Sequence, residues 1–331
     1  MRPEIENIQN EFVAQYPELE LIRKKSYVYD IVCKVLIGVG VLVVFSCIID
    51  GSGFYAFLSF FGLIAFALLV HHLTISRLDY EKYFNSKKSV FVERVIKLID
   101  SSFEYIPETI PYEDLHNTEL FKEKWLKEGK VNVRDYIKGT YRGVQTSIVE
   151  LNFGQKGDVQ AGTNFKPSLL FIADFNKKIL ANTFVEDKTL ERDQINNVMK
   201  GLKGENIVLE NPEFEVLFRT ISTDEVEARY IFSYSFMERL MEFKLSLKEK
   251  EKVYVSFSKS KVSILIYEKT IFEPNISKSI LEDDSFSKFY TDILSILEII
   301  DVLRLNENIW IQSAAHHSLY EDKAIGASCN S

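Results

Sequence analysis

Two runs without a single charge, set almost end to end, constrain this chain more than any other feature. Val35–Ile49 is fifteen residues long and Phe54–Val70 is seventeen. Asp50-Gly51-Ser52-Gly53 joins them, too short for structure of its own. Ile31-Val32-Cys33 lengthens the first run if Lys34 snorkels, and His71-His72-Leu73 lengthens the second. At about 1.5 Å per residue, each then reaches the roughly 30 Å of a hydrocarbon core. A helix apolar on every side has no face for water. The pattern therefore predicts a transmembrane helical hairpin over 31–73, with the lipid bilayer as its partner. Arg23, Lys24, Lys25 and Lys34 precede it, Arg77, Lys82, Lys87 and Lys88 follow it, and the turn has no basic residue. The positive-inside rule then places both termini in the cytosol.

Averaged over the whole chain the composition is that of an ordinary soluble protein, 46% apolar and 27% charged, and that average conceals the split between these runs and the rest. A net charge of -8 argues against nucleic acid as a partner, because phosphate neutralisation needs a basic surface. It also argues against broad adhesion to anionic lipid. Cys33, Cys47 and Cys329 supply neither a disulfide framework nor a metal quartet. That suits a reducing compartment. Of His71, His72, His116, His316 and His317, only His116 falls in the predicted folded part, so a histidine metal site or dyad has no members there.

Periodicity sets the organisation. Residues 1–30 read as a cytosolic N-terminal helix, with Ile5, Ile8, Phe12, Tyr16 and Leu19 on one stripe up to Leu21 and Pro17 weakening it. Residues 74–130 read as a juxtamembrane helix, Leu78 to Phe103, and a connector broken by Pro107 and Pro111. Residues 131–312 read as an α+β domain, with mainly antiparallel strands and a C-terminal helix, and 313–331 as a disordered tail. Within the domain, Val144-Thr146-Ile148 and Val149-Leu151-Phe153 alternate with a slip between them that predicts a bulge. Gly154–Asn164 reads as a loop, Ser168–Phe175 as a strand and Leu190–Leu202 as a helix stopped by Gly204. Ile207–Glu210 and Phe214–Ile221 read as strands around Pro212, which suits an edge or bulge. Ser222–Glu225 and Ser235–Glu238 match the capping box and predict helix starts. Val253–Phe257 and Val262–Ile266 form a hairpin across Ser258–Ser260. Ser285–Leu303 is a helix apolar enough to need cover from a sheet.

No constellation with chemistry stands out. Gly154–Asp158 and Gly201–Gly204 lack the Gly-Lys-Ser/Thr ending of a phosphate-cradling loop. Asp283-Asp284 reads as a helix start and Glu249-Lys250-Glu251 as a solvated turn. Asn275-Ile276-Ser277 is a sequon without use in the cytosol. Asp174 faces solvent or pairs with Lys177 or Lys178. The expectation is no catalytic, cofactor-binding or metal residue, no cofactor and no enzymatic activity.

Leu209-Glu210-Asn211-Pro212-Glu213-Phe214-Glu215, Phe218, Thr223-Asp224, Glu227–Ile231 and Met237–Leu240 resemble the DUF3137 family, a bacterial domain of unknown function. Phe165 to Lys177 is similar to a second block of that family, although Pro167-Ser168 stands where a glycine is expected. The resemblance spans about residues 30 to 305. It implies a multi-pass protein of the bacterial inner membrane and no activity, and LemA-type membrane proteins are an implied partner. Within the block, Arg229 is the expected partner of Glu210 or Glu215, and Phe214 and Phe218 share a strand face. The leading functional expectation is a membrane-anchored cytosolic interaction or regulatory module, with self-association or another membrane protein as partner. A ligand- or lipid-sensing domain of pleckstrin-homology-like type is one alternative, and an enzyme with a carboxylate site the other. A deep polar pocket would favour the alternatives and a flat apolar patch the module.

Overall fold

The structure, a computed structural model, describes residues 3–50, 62, 66, 80–153, 167–175, 179–188, 199, 204–272 and 274–305, without the side chains at 33, 36, 37 and 41–50. The chain divides into two compact units, Met1–Val95 with Phe272–Tyr290, and Ile96–Ile271 with Thr291–Ser331.

The first unit is helical. α1 (Pro3–Gln15) and α2 (Pro17–Asp50) replace the single expected helix up to Leu21. Proline at a first helical position loses no hydrogen bond, so Pro17 starts a helix where the stripe suggested continuity. α3 runs over 80–99. Phe12, Phe91, Phe272 and Phe286 form an aromatic core, with the Phe91 and Phe286 rings edge-on at 4.7 Å. Polar side chains fasten the 275–283 segment to the helices. Gln9 Nε2 donates to the Ile280 carbonyl, and Arg23 Nη1 to that of Ile276 at 2.6 Å.

The transmembrane hairpin is a correction. Among the described residues no helix is long and apolar enough to cross a membrane. The described part of the expected hairpin belongs to α2, which begins at Pro17, not near 31. Its first half carries Glu18, Glu20, Arg23, Lys24, Lys25, Asp30 and Lys34, with ion pairs Arg23–Glu20 and Lys34–Asp30 each at 2.7 Å. Charges at that density require water or partners along the helix. The second apolar run, the turn before it and the 313–331 tail lie outside the described residues, apart from 62 and 66. The bilayer contact, the multi-pass placement and the two cytosolic termini are accordingly not supported.

The second unit holds a sheet of nine strands among the described residues, in the order β1-β2-β3-β4-β9-β8-β5-β7-β6. These are β1 (Glu104–Pro107), β2 (Val131–Tyr141), β3 (Val144–Phe153), β4 (Ser168–Asp174), β5 (Thr183–Asp187), β6 (Glu205–Ile207), β7 (Phe218–Ser222), β8 (Lys252–Ser258) and β9 (Lys261–Tyr267). Every pairing is antiparallel, as the alternating pattern predicted. The β8–β9 hairpin turns through Lys259 and Ser260, both left-handed at φ 50° and 59°. Such a turn matches the right-handed strand twist.

Two strand readings change. β3 is continuous, and the bulge sits on β2, where Val133 faces Leu151, Asp135 faces Glu150, and Arg134 is extra. β3 is buried on both faces, so adjacent Ile148 and Val149 need no slip. Phe214 is helical: α6 (Pro212–Leu217) starts at Asn211, whose Oδ1 accepts from the Glu213 and Phe214 amides. Pro212 is its first residue. The Phe214 and Phe218 rings still meet, at 4.9 Å.

α4 (Tyr112–Asn117) and α5 (Glu123–Lys127) lie on one sheet face. α7 (Glu225–Ile231) is capped by Asp224 rather than Ser222, and α8 (Tyr234–Ser246) starts after Ser233, before the expected box. On the other face Phe257 is wholly buried against Phe232 at 5.4 Å and Phe236 at 5.8 Å. The expected final helix is broken at Glu298 into α9 (Ser285–Leu297) and α10 (Ile299–Val302). Its apolar residues are buried, and the packing partners the structure shows for them are helical and loop residues. In the first unit Phe286 and Phe289 pack on Phe91 and Phe272, and in the second α10 packs on α8.

Candidate functional site

The register of the central strands sorts one sheet face into cross-strand rows. Ile106, Tyr136, Val149, Leu170, Leu265 and Tyr254 make an apolar row. Leu115, Leu120, Phe121 and Leu126, from α4, α5 and the turn between them, cover it. The next row is polar but for one residue: Glu104, Lys138, Ser147, Ile172, Ser263 and Ser256. Thr140 opposite Gln145, and Asp174 opposite Lys261, begin a third. Ser256 is closed off by its hydrogen bond to the Thr118 carbonyl. At the β1–β4 end the polar rows border a half-open cleft of about 380 Å³.

Local chemistry holds this cleft open. Lys138 pairs with Glu104 at 3.4 Å, and Lys261 with Asp174 at 2.8 Å. Lys138 and Lys261 line the cleft with Glu104, and Asp174 pairs with Lys261 beside it, so two ammonium groups stand against two carboxylates. Ser102 fastens the near wall, its Oγ donating to the Thr140 carbonyl at 3.0 Å and accepting from the Thr140 amide at 3.1 Å. Gly139 permits that approach. A Cβ there would lie 2.5 Å from Phe103 Cδ1 and 2.9 Å from Phe103 Cα. Burial raises the Tyr136 pKa, the nearby Ser147 hydroxyl opposes the rise and the Asp114 charge adds to it. Gln145 Nε2 donates to Thr140 Oγ1 at 2.9 Å.

A carboxylate pair does exist, on the opposite face. Asp135 and Glu150 stand across β2 and β3, 8% and 0% exposed. Arg134 Nη1 lies 2.8 Å from Glu150, and the Ile271 amide donates to Glu150 at 3.2 Å. Tyr105 donates to Asp135, and burial together with the Asp135 charge pushes the Tyr105 pKa far up. Each acid is enclosed and partnered, which is the arrangement of a structural cluster.

Residues singled out in the sequence scatter. Asp174 lies beside the cleft, paired with Lys261 of β9 at 2.8 Å, while Lys177 and Lys178 lie outside the described residues. Arg229 reaches Glu210 at 3.5 Å as expected, and Glu225 at 2.7 Å. His116 stacks on Tyr112 at 5.6 Å. Asp283 does start a helix, accepting from the Ser285 amide at 3.0 Å. Glu251 is not in a solvated turn: it is 3% exposed and accepts from the Lys248 amide. Gly154–Asp158 and residues 201–203 lie outside the described residues, and Gly204 sits against Ser222, its would-be Cβ 2.6 Å from that carbonyl oxygen. Among the described residues no group of three or more His, Cys, Asp or Glu could hold a metal ion. The cleft residues Lys138, Ser147 and Lys261 carried no motif. Their one sequence signal was polar side chains on the face of strands that is apolar elsewhere.

Residues 163–305 match the family model of DUF3137, described as protein of unknown function. The match begins well after residue 30, so it covers the sheet from β4 onward and not the N-terminal helices. No curated protein matches the chain. A solved structure, the mycobacterial trehalose monomycolate transport factor A, TtfA, is similar over 61% of this chain and 88% of that one. Its identity is 11% and its TM-score 0.34, a level at which the two folds are not equated.

Proposed function

From the premise that residues 163–305 are a DUF3137 domain, we propose that the chain is a non-catalytic recognition module that seats an anionic group of a partner in the cleft on β1–β4. The observation that carries the reading is the cleft's lining: two lysine ammonium groups, paired with Glu104 and Asp174, and several hydroxyls around Ile172. Ammonium groups recognise carboxylate or phosphate as point charges, and hydroxyls and amides add directional donors. Ion pairs as exposed as Lys138–Glu104 are weak, so an incoming anion displaces the glutamate at little cost. A half-open polar cleft fits recognition of a protruding group better than enclosure of an apolar ligand.

The test is a titration of the full chain with sodium phosphate and with acetate, followed by amide NMR shifts. Saturable shifts confined to Ser102, Lys138, Gly139, Thr140, Ser147 and Lys261, and weakened in Lys138→Gln, support the reading. Shifts spread over the whole surface, or none, would overturn it.

A further inference from the structure

We infer that the cleft takes an elongated dianion, one end at Lys138 and the other at Lys261, with Glu104 holding the Lys138 end until it arrives. This rests on the recognition reading above and adds the ligand class. Lys138 stands on β2 and Lys261 on β9, with β3 and β4 between them. Three steps of about 4.8 Å across the sheet, with Lys261 one row (about 6.8 Å) further along, put the two backbones roughly 16 Å apart. Both side chains nevertheless line one cleft. The Lys138 ammonium is drawn to Glu104 on β1 and the Lys261 ammonium to Asp174 on β4, so a carboxylate held at about 2.7–2.9 Å by one is not placed to reach the other. Two anionic groups joined through several atoms reach both.

The floor between the lysines fits such a molecule. Ser147 and Ile172 follow Lys138 in the same cross-strand row, a hydroxyl and then an apolar surface for the linking atoms. Each lysine already holds a carboxylate of the sheet, which shows what each position accepts. The two pairs differ: Glu104 sits at 3.4 Å with its side chain 66% exposed, Asp174 at 2.8 Å and 41% exposed. The longer, wetter contact exchanges first, so Glu104 is an internal competitor for the ligand. A free dianion supplies this chemistry, and so does the acidic end of a polypeptide, through a side-chain and a terminal carboxylate.

Calorimetric titration of the full chain separates these cases. The probes are acetate, the α,ω-dicarboxylates from malonate to suberate, and a peptide Gly-Asp-Gly-Gly with a free or an amidated C-terminus. Affinity should climb with chain length and reach at least tenfold over acetate at adipate or suberate. Lys138→Gln and Lys261→Gln should each return the long dicarboxylates to the acetate level. Glu104→Gln should raise affinity several-fold, a gain that does not depend on either lysine variant folding. Tighter binding of the free-acid peptide than of suberate assigns the dianion to a polypeptide end, and the reverse order to a free molecule. Equal affinity for acetate and every dicarboxylate overturns the dianion inference and leaves the recognition reading standing. Weaker binding in Glu104→Gln overturns it as well. Binding by none of the probes, phosphate included, overturns both.

Discussion

Replacing Gly139 with alanine tests whether the near wall of the cleft is set by steric fit. Glycine inside a strand ordinarily costs about 0.5–1 kcal/mol relative to alanine, so chain entropy alone predicts a stabilised protein. The structure predicts the opposite sign. The new methyl would meet Phe103 Cδ1 at 2.5 Å and Phe103 Cα at 2.9 Å, and one of those atoms is backbone. Phe103 is 1% exposed, so its ring has little room to retreat. Overpacking of this kind costs about 1–3 kcal/mol. If the 102–104 segment moves instead, both Ser102–Thr140 hydrogen bonds lengthen, each worth about 0.5–1.5 kcal/mol. The net expectation is a loss of about 1–3 kcal/mol, read from urea melts of the full chain. A double-mutant cycle sharpens it. Phe103→Ala alone should cost about 3–5 kcal/mol, and noticeably less in the Gly139→Ala background, because deleting the ring relieves the clash. A Gly139→Ala protein that is more stable than the parent, or a strictly additive cycle, refutes the argument.

Lys244 Nζ lies 2.6 Å from Asp187, with side chains 10% and 1% exposed, so Lys244→Met strands a buried carboxylate and should cost about 3–5 kcal/mol. Pairing it with Asp187→Asn should recover much of that in the same melts, and a single-variant loss below about 1 kcal/mol would show the charge finds water. Burial works to raise the Glu20 pKa, but hydrogen bonds from Arg23 and the Ile280 amide and nearby positive charge hold it below its ordinary 4.5. A depressed folded-state pKa gives stability that is present above the unfolded value and lost as pH falls through the folded one. Urea midpoints taken from pH 6 to pH 3 should therefore fall less steeply in Glu20→Gln than in the parent, and parallel curves would remove Glu20 from the account.

The sequence by itself determined the local pieces. Alternation along Val253–Phe257 and Val262–Ile266 needs only the two-residue period of a strand, and the β8–β9 hairpin followed with its turn in place. The long apolar face after Ser285 could not stay in water, and it is buried. The block around Leu209–Arg239, inside the stretch that matches the DUF3137 model, was legible as a block, although Asn211 and Pro212 make it a helix start rather than a strand bulge. Local signals misled where two of them overlapped: charges from Glu18 to Lys34 run directly into an apolar stretch within one helix, and the apolar stretch alone predicted a span.

Only the tertiary structure decided the site. Arg134 is an extra residue in β2, and because strand side chains alternate, one inserted residue turns every later side chain to the other face. Val131 and Val133 therefore share a face with Tyr136 and Lys138, although their parity in the sequence differs. Without that bulge Lys138 would point to the face that holds Asp135 and Glu150. Lys138, Ser147, Ile172 and Lys261 come from four strands up to 123 positions apart, and nothing local links them. Strand order and register are long-range pairings, fixed by how the whole sheet buries its two faces, and that is why the cleft had no motif to announce it.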